Sequence, residues 1–526
     1  MQHSAVFLNV AMRNAYTFSL FCSLATAQQS PLLDQQTDGR EGQRKIAIVG
    51  SGVSGASTAW RLMQLAGGFA RPTDEITVYE QDGTIGGRVQ TIKSSTEGVR
   101  GYFEAGASTF LPDDWCISNA IDDVGLRVSG SSYLSSSDHK ERANLTCDLR
   151  SPLWPDLARL SWKYGRSAWN LHRTVVATTE SWHSFAMFNR FTTLREGLQA
   201  AEIDSQLLQS AEDMLDYLKI SKRLQHDVVQ PCIRARLHQD LASVSGLAAM
   251  IALSGDPRQI SYGNIALVER MLRLSYAEVR PNSQVISIGP GTSRRYALDV
   301  RVQYGDEKSS AERVEYDAVV YAAPLSYRDL DTSGLALSTS QPSVAWDALH
   351  VSPLMTTSQL TPNRSALPFD VAVSDDKNLI TFSSDVITSS ANLSMNILSM
   401  RPRAEFNFGG PCHWDDECDD YDRENLYQIY SRHRLSDDDL AGILMPPNAS
   451  GPRHLKDHKL SWLHRQQWSA GVPVRDKDKP LPVDVIELAP KFFYLNAAEH
   501  IVSSLEMSCR MGAVVARKLF YEHRGM

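Results

Sequence analysis

Residues 45–55 read Lys-Ile-Ala-Ile-Val-Gly-Ser-Gly-Val-Ser-Gly, and this stretch determines the fold expected for the chain. Its first five residues have the composition of a buried strand, and the glycine-rich remainder is typical of a tight turn that opens a helix. Val78, Tyr79 and Glu80 then close a second strand-like stretch. A strand, a glycine-rich turn, a helix and an acid at the end of the next strand form the dinucleotide-binding fingerprint.

The residues of this turn have separate physical tasks in such a motif. Gly50 permits the tight turn, Gly52 lets the backbone approach a pyrophosphate, and Gly55 allows the helix to lie close to the strand. Val53 and Ser54 begin the predicted helix. Unpaired N–H groups at that helix start would attract the pyrophosphate.

Three further features refine the expected ligand. Glu80 can accept hydrogen bonds from a ribose diol, and its charge disfavours the 2′-phosphate of an NADP-type ligand. Gly86 and Gly87 predict a second close backbone approach, with Arg88 as a guanidinium for phosphate oxygens. Glu104, Gly106 and Ala107 follow shortly after as further cofactor-binding candidates.

This combination resembles the FAD-binding half of the glutathione-reductase-like flavoproteins, especially those similar to amine oxidases. The resemblance implies FAD as the cofactor. It also implies an α/β fold, in which a Rossmann FAD-binding domain carries an inserted α+β substrate domain. The FAD-binding domain is expected to comprise residues 45–135, 255–330 and 490–522, and the substrate or cap domain residues 136–254 and 331–489.

Chain length, net charge and hydropathy limit the number of domains and the classes of partner. A chain of 526 residues is too long for one ordinary core and predicts two connected domains. A net charge of −8 provides no basic surface for nucleic acid, so no nucleic-acid partner is expected. No window of the sequence is long and apolar enough to cross a bilayer.

The N-terminal segment has the features of a secretory signal peptide. Arg13 precedes an apolar stretch, residues 15–24, and small residues follow up to Ala27. We therefore predict a signal peptide over residues 1–27 and a flexible lead-in over residues 28–44. A polar N-terminus without a targeting role is the alternative.

Secretion is consistent with the sequons and the cysteines. Removal of Cys22 with the signal leaves six of the seven cysteines, an even number suited to an oxidising compartment. Cys412 and Cys418 form the most plausible disulfide, whereas Cys232 and Cys509 lie in apolar stretches that suit buried thiols. Four N-glycosylation sequons begin at Asn144, Asn363, Asn392 and Asn448.

Two later segments complete the expected cofactor site. Residues 284–288 predict a strand, and the resemblance to flavoproteins implies that this strand meets the adenine through main-chain groups, with Val285 as the candidate. Near the C-terminus, residues 492–496 predict a strand, and a helix follows from about Ser504. Glu506 stands in the first turn of that helix, whose positive end would stabilise charge on a reduced flavin. An ordinary amphipathic C-terminal helix is the alternative.

Three segments resemble the prenylcysteine oxidase (prenylcysteine lyase) family of FAD-dependent oxidases. Residues 228–239 place an arginine and a glutamine around a short variable stretch, as the family does. Residues 464–474 resemble the family's stretch before its final strand, and residues 493–508, with Asn496 and Glu506, resemble its closing flavin motif. With the N-terminal motifs, the similarity covers about residues 44–522.

The resemblance implies a thioether oxidase in the secretory pathway, either in a vacuole or lysosome or outside the cell. In this family a hydride leaves the prenyl carbon next to sulfur, and water adds to give a hemithioacetal. That intermediate collapses to cysteine and a prenyl aldehyde, and O2 becomes H2O2. The expected partners are a small lipophilic substrate and O2. Peripheral membrane association and the oligomeric state stay open.

Arg234 and Gln239 are the catalytic candidates. Arg234 could anchor a substrate carboxylate or the flavin, and Gln239 could orient water or substrate; structural hydrogen bonding is an equal alternative for both. Between them, Arg236, Leu237 and His238 depart from the family's small polar and aromatic pattern with glycine. A bulkier, more basic site favours a second hypothesis, a flavin oxidase of the same fold that acts on another lipophilic metabolite in a biosynthetic pathway. A third is an FAD-binding protein for interaction or carriage.

Metal sites are not expected. His454 and His458 stand at helical spacing but lack a third ligand, so a zinc site is disfavoured. The acidic run at residues 415–420 lacks the glycine and ligand alternation of a calcium loop. No nucleophile motif in a strand–turn–helix setting supports hydrolysis.

Overall fold

A computed structural model provides the coordinates. It describes residues 44–67, 74–93, 102–129, 147–152, 154–187, 194–255, 257–304, 308–324, 330–337, 345–356, 371–373, 380–382, 386–387, 394–395, 397–407, 423–444, 460–475 and 486–523. The predicted signal peptide and the lead-in up to residue 43 lie outside these residues. So do the four sequon asparagines and the predicted Cys412–Cys418 disulfide.

A six-stranded sheet forms the centre of the fold. Its strands follow one another across the sheet in the order Glu487–Ala489, Phe492–Tyr494, Ala318–Tyr321, Lys45–Val49, Glu75–Tyr79 and Glu278–Arg280. All neighbours are parallel except the first pair, and the four inner strands are short, mainly apolar runs buried on both faces, as parallel sheets require. Segments distant in sequence thus meet in one sheet.

The order of these strands creates a crevice. The strand Lys45–Val49 lies between two parallel neighbours, and its last residue, Val49, is in register with Tyr79 on one side and Tyr321 on the other. The connection after Lys45–Val49 leads to Glu75–Tyr79 on one side, whereas the chain after Ala318–Tyr321 returns at Phe492–Tyr494 on the other side. Ligands of open α/β sheets bind at this kind of switch point.

Helices cover one face of the sheet. The first helix, Val53–Leu65, packs against the helix Ile265–Ser275 and the C-terminal helix, Leu505–His523. Approach to the C-terminal helix is close at Gly512, where an added Cβ would lie 2.5 Å from the Ser54 carbonyl oxygen. The helix Trp115–Asp123 also contacts the C-terminal helix.

A three-stranded antiparallel sheet covers the other face. Its strands are Ser283–Pro290, Tyr296–Tyr304 and Lys308–Tyr316. Val285 and Leu298 from this sheet share a buried cluster with Val49 of the central sheet. The cofactor-binding crevice is therefore bordered by two sheets.

The helices between residues 154 and 252 form what we call the helical block. Their bounds are Trp154–Tyr164, Arg166–Met187, Leu194–Ala200, Asp204–Leu208, Ala211–Tyr217, Lys222–Leu224, a π-helical turn Gln225–Val229, Gln230–Leu237 and Gly246–Ala252. Apolar residues at three- and four-residue steps predict this helical structure, and their side chains form its buried core. None of the described helices has the length and apolar character to cross a membrane.

A seven-stranded antiparallel sheet forms the remaining layer. Its strands are Val371–Val373, Ile380–Phe382, Ile397–Asn407, Arg423–Ser431, Ala345–Thr356, Leu460–Leu463 and Gln466–Val474. The strand Glu487–Ala489, which the sequence places in the substrate part, instead pairs with the central sheet.

Smaller elements complete the description. Two-stranded pairs join Thr91–Lys93 to Tyr102–Glu104, Val128–Ser129 to Gln259–Ile260, and Val386–Ile387 to Ser394–Met395. A helix spans Asp437–Leu444, and a 3₁₀ helix spans Asn496–His500.

Two disulfides connect distant segments. Cys116 pairs with Cys509, and Cys147 pairs with Cys232. The prediction that Cys232 and Cys509 are buried thiols is wrong. Apolar surroundings identify these cysteines as buried but cannot show a partner that is 85 or 393 residues away.

Candidate cofactor and substrate site

A cavity of about 320 Å³ opens at the carboxyl ends of the central strands. This volume lies within the usual range of small-molecule sites. Many of the predicted cofactor-binding residues line it. They are Gly50, Gly52, Val53, Ser54, Glu80, Gly86, Gly87, Arg88, Gly106, Ala107, Val285 and Asn496.

The first glycine turn has the geometry that the fingerprint predicts. Gly50 has a φ of +106°, and an added Cβ would lie 2.8 Å from the Ala322 carbonyl oxygen. A Cβ on Gly55 would lie 2.0 Å from the Gly50 carbonyl oxygen, so this glycine is required for packing and does not line the cavity. Gly52 precedes the first helix and provides no side-chain cap, which leaves the N–H groups of the first turn open to an anion.

Glu80 is buried at the edge of the cavity. The Ser51 N–H and hydroxyl donate to Glu80 Oε2 at 3.1 and 2.5 Å, and the Asp82 N–H donates to Oε1 at 3.1 Å. Ser51 Oγ also accepts a hydrogen bond from the Gly86 N–H at 3.1 Å. Ser51 therefore connects the acid to the second glycine turn, a role that sequence analysis missed because a hydroxyl between two glycines is a common turn residue.

The second glycine turn lies against the first. Gly86 and Gly87 have φ angles of +111° and +55°. A Cβ on Gly86 would approach Ile265 Cδ1 to 2.3 Å, and a Cβ on Gly87 would lie 3.6 Å from Gly52 Cα. Two turns thus bring open backbone to one side of the cavity.

Arg88 lines the cavity but has a protein partner. Its guanidinium forms a two-point ion pair with Glu499, with Nη2 2.6 Å from Oε2. The guanidinium also lies over the Trp346 ring, 5.0 Å from its centroid. Its charge is balanced by a buried carboxylate that the sequence did not assign, and the role of Arg88 towards phosphate oxygens stays a prediction. Asn496 Nδ2 donates to the same carboxylate at 2.6 Å.

Glu104 does not line the cavity, contrary to the prediction. Its carboxylate accepts hydrogen bonds from the Asn264 N–H at 2.6 Å and the Thr91 hydroxyl at 3.1 Å. Gly106 and Ala107 do border the cavity. The acid holds the neighbouring loop, and the small residues after it form the wall.

Glu506 also lies outside the cavity wall. Its carboxylate accepts hydrogen bonds from the Cys116 and Ile117 N–H groups, each at 3.0 Å, and pairs with Arg510. It therefore caps the helix Trp115–Asp123 and is absent from the cavity wall. Residues at the start of the C-terminal helix line the cavity in its place, namely Ser503, Ser504, Leu505 and Ser508.

The catalytic candidates are held by hydrogen bonds within the protein. Arg234 Nε donates to Asp240 Oδ1 at 2.6 Å, and Gln239 Nε2 donates to the Pro473 carbonyl oxygen at 2.7 Å. Neither residue lines the main cavity. These contacts agree with the structural alternative, and a catalytic role for either residue stays a prediction.

The three residues between them do line the cavity. Arg236, Leu237 and His238 border it at the end of the helix Gln230–Leu237. His238 has a φ of +58° and stacks on Tyr430, with ring centroids 3.9 Å apart. The segment that departs from the family pattern is therefore the one that meets the ligand.

The end of the cavity next to the helical block is mainly apolar. Trp468 borders it and is fixed by a hydrogen bond from Nε1 to the Ala105 carbonyl oxygen at 2.7 Å. Apolar residues from several elements share this wall, namely Phe110, Leu111, Trp182, Leu237, Ala248, Ile251 and Leu349. Helices of the helical block thus provide much of an apolar slot at this end of the cavity.

One acid stands at this end. Asp114 lines the cavity and accepts a hydrogen bond from the Leu111 N–H at 2.7 Å. Burial raises the pKa of Asp114 well above its usual value, and the Glu506 carboxylate raises this pKa further. A neutral carboxylic acid is compatible with an apolar wall.

The residues present fit FAD. The glycine turns leave room that any larger side chain would fill, and Glu80 presents a carboxylate beside them. Asn496 Oδ1 is buried at the cavity and has no hydrogen-bond partner among the described residues, so it can accept one from a ligand. Val285 borders the same cavity from the second sheet.

Fold and site together define a class, the Rossmann-type flavoproteins with an amine-oxidase architecture. The NAD(P)-binding Rossmann-like domain matches residues 48–123. The structure of cyclohexylamine oxidase from Brevibacterium oxydans IH-35A superposes with a TM-score of 0.53 at 12% identity, covering 92% of this chain and 100% of that one. This likeness concerns the fold.

Comparison of sequences identifies the family. The prenylcysteine lyase family matches residues 149–524, more than half of the chain, and the chain belongs to this family. The cofactor of this chain is FAD. Human prenylcysteine oxidase 1-like is 27% identical over 57% of this chain and 60% of its own length. Prenylcysteine oxidase 1 of Bos taurus is 23% identical over 91% of this chain and 89% of its own length. The chain thus spans less than two thirds of the first of these relatives.

Proposed function

We propose that this chain is an FAD-dependent oxidase that cleaves a prenyl thioether. One thioether, one water and one O2 would give one thiol, one prenyl aldehyde and one H2O2. The observation that carries the proposal is the single cavity that joins the dinucleotide-binding turns to the apolar slot of the helical block. Family membership supports the same chemistry.

Bound FAD supplies the two-electron oxidation of the carbon next to sulfur, whose lone pair stabilises the developing positive charge. Side chains of the protein hold the reactants in place and keep bulk water out. Trp182, Leu237 and Ile251 offer apolar surface for the isoprenoid chain, and His238, fixed by its stack on Tyr430, closes one side. The start of the C-terminal helix, which borders the cavity, favours negative charge nearby.

A second candidate is oxidation of another lipophilic metabolite in a biosynthetic pathway. Arg236, Leu237 and His238 support it, because they line the cavity and are bulkier and more basic than the family's usual residues there. The third hypothesis, FAD binding for carriage without redox chemistry, is disfavoured because a relative that matches over 91% of this chain is named prenylcysteine oxidase 1.

A peroxide assay on the FAD-loaded chain separates these functions. Release of H2O2 with farnesylcysteine, in a one-to-one ratio with the aldehyde, supports thioether oxidation. Flavin that ignores farnesylcysteine but loses its yellow colour with another lipophile in the absence of O2 favours the second candidate. Flavin that no lipophile reduces would refute both oxidase proposals.

The slot itself can be tested with chain length. Ala248→Leu narrows the apolar end, so KM for a C15 thioether should rise about tenfold or more while KM for a C5 thioether changes little. A control variant outside the cavity, Ala513→Leu in the C-terminal helix, should alter neither KM. Equal effects of Ala248→Leu on both substrates would contradict the assignment of this wall.

We also propose that the protein works in the secretory pathway, in a vacuole or lysosome or outside the cell. Two disulfides in the described residues support an oxidising compartment. The test is expression of the whole chain in eukaryotic cells, with N-terminal sequencing and glycosidase treatment. A mature start after Ala27 and a loss of mass on deglycosylation are expected, whereas an intact, unglycosylated cytosolic chain would contradict the proposal.

A further inference from the structure

Three tryptophans stand on the outer surface of two consecutive helices. Trp162 is 94% exposed and Trp154 is 73% exposed, both on the helix Trp154–Tyr164. Trp169, 44% exposed, follows on the next helix, Arg166–Met187. Single exposed apolar residues are ordinary, but three large aromatic side chains on one helix pair indicate an interaction surface.

The helix pair holds these tryptophans away from its core residues. Leu157 is buried, and Leu160 and Tyr164 pack against the core of the helical block. Trp154 and Trp162 stand eight residues apart on the same helix, which places them about 80° apart around its axis, on the sides that these core residues leave open. The helix therefore already has an apolar face that packs on the protein, and the exposed tryptophans are not part of it.

Two arginines give the surface its charge. Arg166 and Arg173 are exposed on the same stripe of the second helix as Trp169. Neither arginine has an ion-pair partner among the described residues. Lys163 lies nearby but is 3.3 Å from the Asp227 carboxylate, so we do not count its charge. We call Trp154, Trp162, Trp169 and the two arginines the tryptophan surface.

We propose that the tryptophan surface docks the protein on an anionic lipid bilayer. Tryptophan favours the boundary between headgroups and acyl chains, because its ring is apolar and its N–H is polar. Unpaired arginines beside it complement the negative potential of an anionic leaflet. The surface is a peripheral contact, since the helix pair also packs on its own protein core.

The same helix connects the tryptophan surface to the cavity. Trp169 lies near one end of the helix Arg166–Met187, and Trp182, further along it, lines the apolar slot. Thirteen residues separate them, or about 20 Å along the helix axis. Docking here would hold the slot within reach of the bilayer in which lipophilic molecules dissolve.

Vesicle sedimentation of the FAD-loaded chain tests the proposal. One set of vesicles contains phosphatidylcholine alone. In the other set, about a third of the lipid is phosphatidylserine. The chain should bind the anionic vesicles more tightly. Trp154→Ala with Trp162→Ala should lower the partition coefficient at least about tenfold on both vesicles. Arg166→Gln with Arg173→Gln should lower it about fivefold per arginine, on the anionic vesicles only.

Matched controls exclude general effects. Tyr304 is exposed on the strand Tyr296–Tyr304, and Tyr304→Ala should leave vesicle binding unchanged. Each variant must retain FAD and the wild-type melting temperature. Vesicle binding is measured without substrate, so its outcome does not depend on the proposed oxidase activity.

Three outcomes overturn the proposal. The first is no vesicle binding by the wild type, and the second is binding by the double tryptophan variant equal to that of the wild type. The third is a wild-type dimer in light scattering that Trp162→Ala converts to a monomer, which would identify a second copy as the occupant of the surface.

Discussion

His500 provides a quantitative test of how burial controls stability in this protein. Its ring lies at the end of the 3₁₀ helix Asn496–His500, beside Trp346, with ring centroids 5.7 Å apart. Nε2 is shielded from solvent and has no hydrogen-bond partner among the described residues. Burial lowers the pKa of His500 from 6.5 to about 4.

The sign of the effect follows from proton binding. The unfolded chain protonates His500 near pH 6.5, whereas the folded chain does so only near pH 4. Between these values the unfolded state binds more protons, so stability is present above pH 6.5 and is lost as the pH falls. At about 1.4 kcal/mol per pH unit, the loss approaches about 3 kcal/mol below pH 4 and is about 2 kcal/mol at pH 5.

The perturbation is His500→Gln, which removes the titration and keeps a polar side chain of similar length. Free energies of unfolding are measured by urea titration of the holoprotein at pH 7 and at pH 5. The wild type should lose about 2 kcal/mol more than the variant between these two pH values. Because each protein is compared with itself, the direct effect of the substitution on stability cancels.

A control isolates the buried site. Gln303 is exposed and carries no titratable group, so Gln303→Ala should leave the difference between pH 7 and pH 5 as it is in the wild type. The reasoning is refuted if His500→Gln shows the same pH dependence as the wild type. It is also refuted if His500→Gln and Gln303→Ala reduce that dependence equally.

Three further substitutions test the site. Gly55→Ala should destabilise the fold by about 3 kcal/mol or more, since its Cβ would lie 2.0 Å from a backbone oxygen. Thermal melting checks this. Gly289→Ala is the neutral control, because a Cβ there meets nothing within 4 Å. Glu80→Ala should weaken FAD binding about tenfold to a hundredfold in a fluorescence titration of apoprotein; unchanged affinity would remove Glu80 from the site. Arg88→Met should destabilise the fold by about 3–5 kcal/mol, because Glu499 is left as a buried unpaired charge. Adding Glu499→Gln should restore most of the lost stability. No recovery of stability in the double variant would contradict this reasoning.

Local spacing made the first part of the site predictable. Gly50, Gly52 and Gly55 act within one turn, and each position follows from the geometry of a strand that leads directly into a helix. Gly86 and Gly87 were recognised for the same reason. Such positions depend on backbone conformation, which is encoded by residues adjacent in the chain.

Side-chain direction was not predictable in the same way. Glu506 binds N–H groups that are 389 and 390 residues away, and nothing adjacent to it in the sequence indicates this partner. Arg234 and Gln239 stand next to the ligand-facing residues yet turn towards Asp240 and Pro473. A helix rotates each successive residue by about 100°, so neighbours in sequence can face opposite environments.

The site residues that sequence analysis missed also divide into those with local contacts and those with distant contacts. Ser51 lies inside the fingerprint, and its hydroxyl type offered a weak signal for the bond to Glu80. Glu499 lies inside the closing motif, but its ion pair with Arg88 joins positions 411 residues apart. Only assembly of the sheet brings these two side chains together.

The amino-acid sequence by itself determined the dinucleotide-binding half, its acid and the helical nature of the block from residue 154 to 252, because strand, turn and helix patterns are short-range properties. Tertiary structure alone decided which side chains face the cavity, how the cysteines pair and which tryptophans stay on the surface. The physical reason is that these features depend on contacts between segments that folding brings together, and such contacts leave no periodic signal in any one of them.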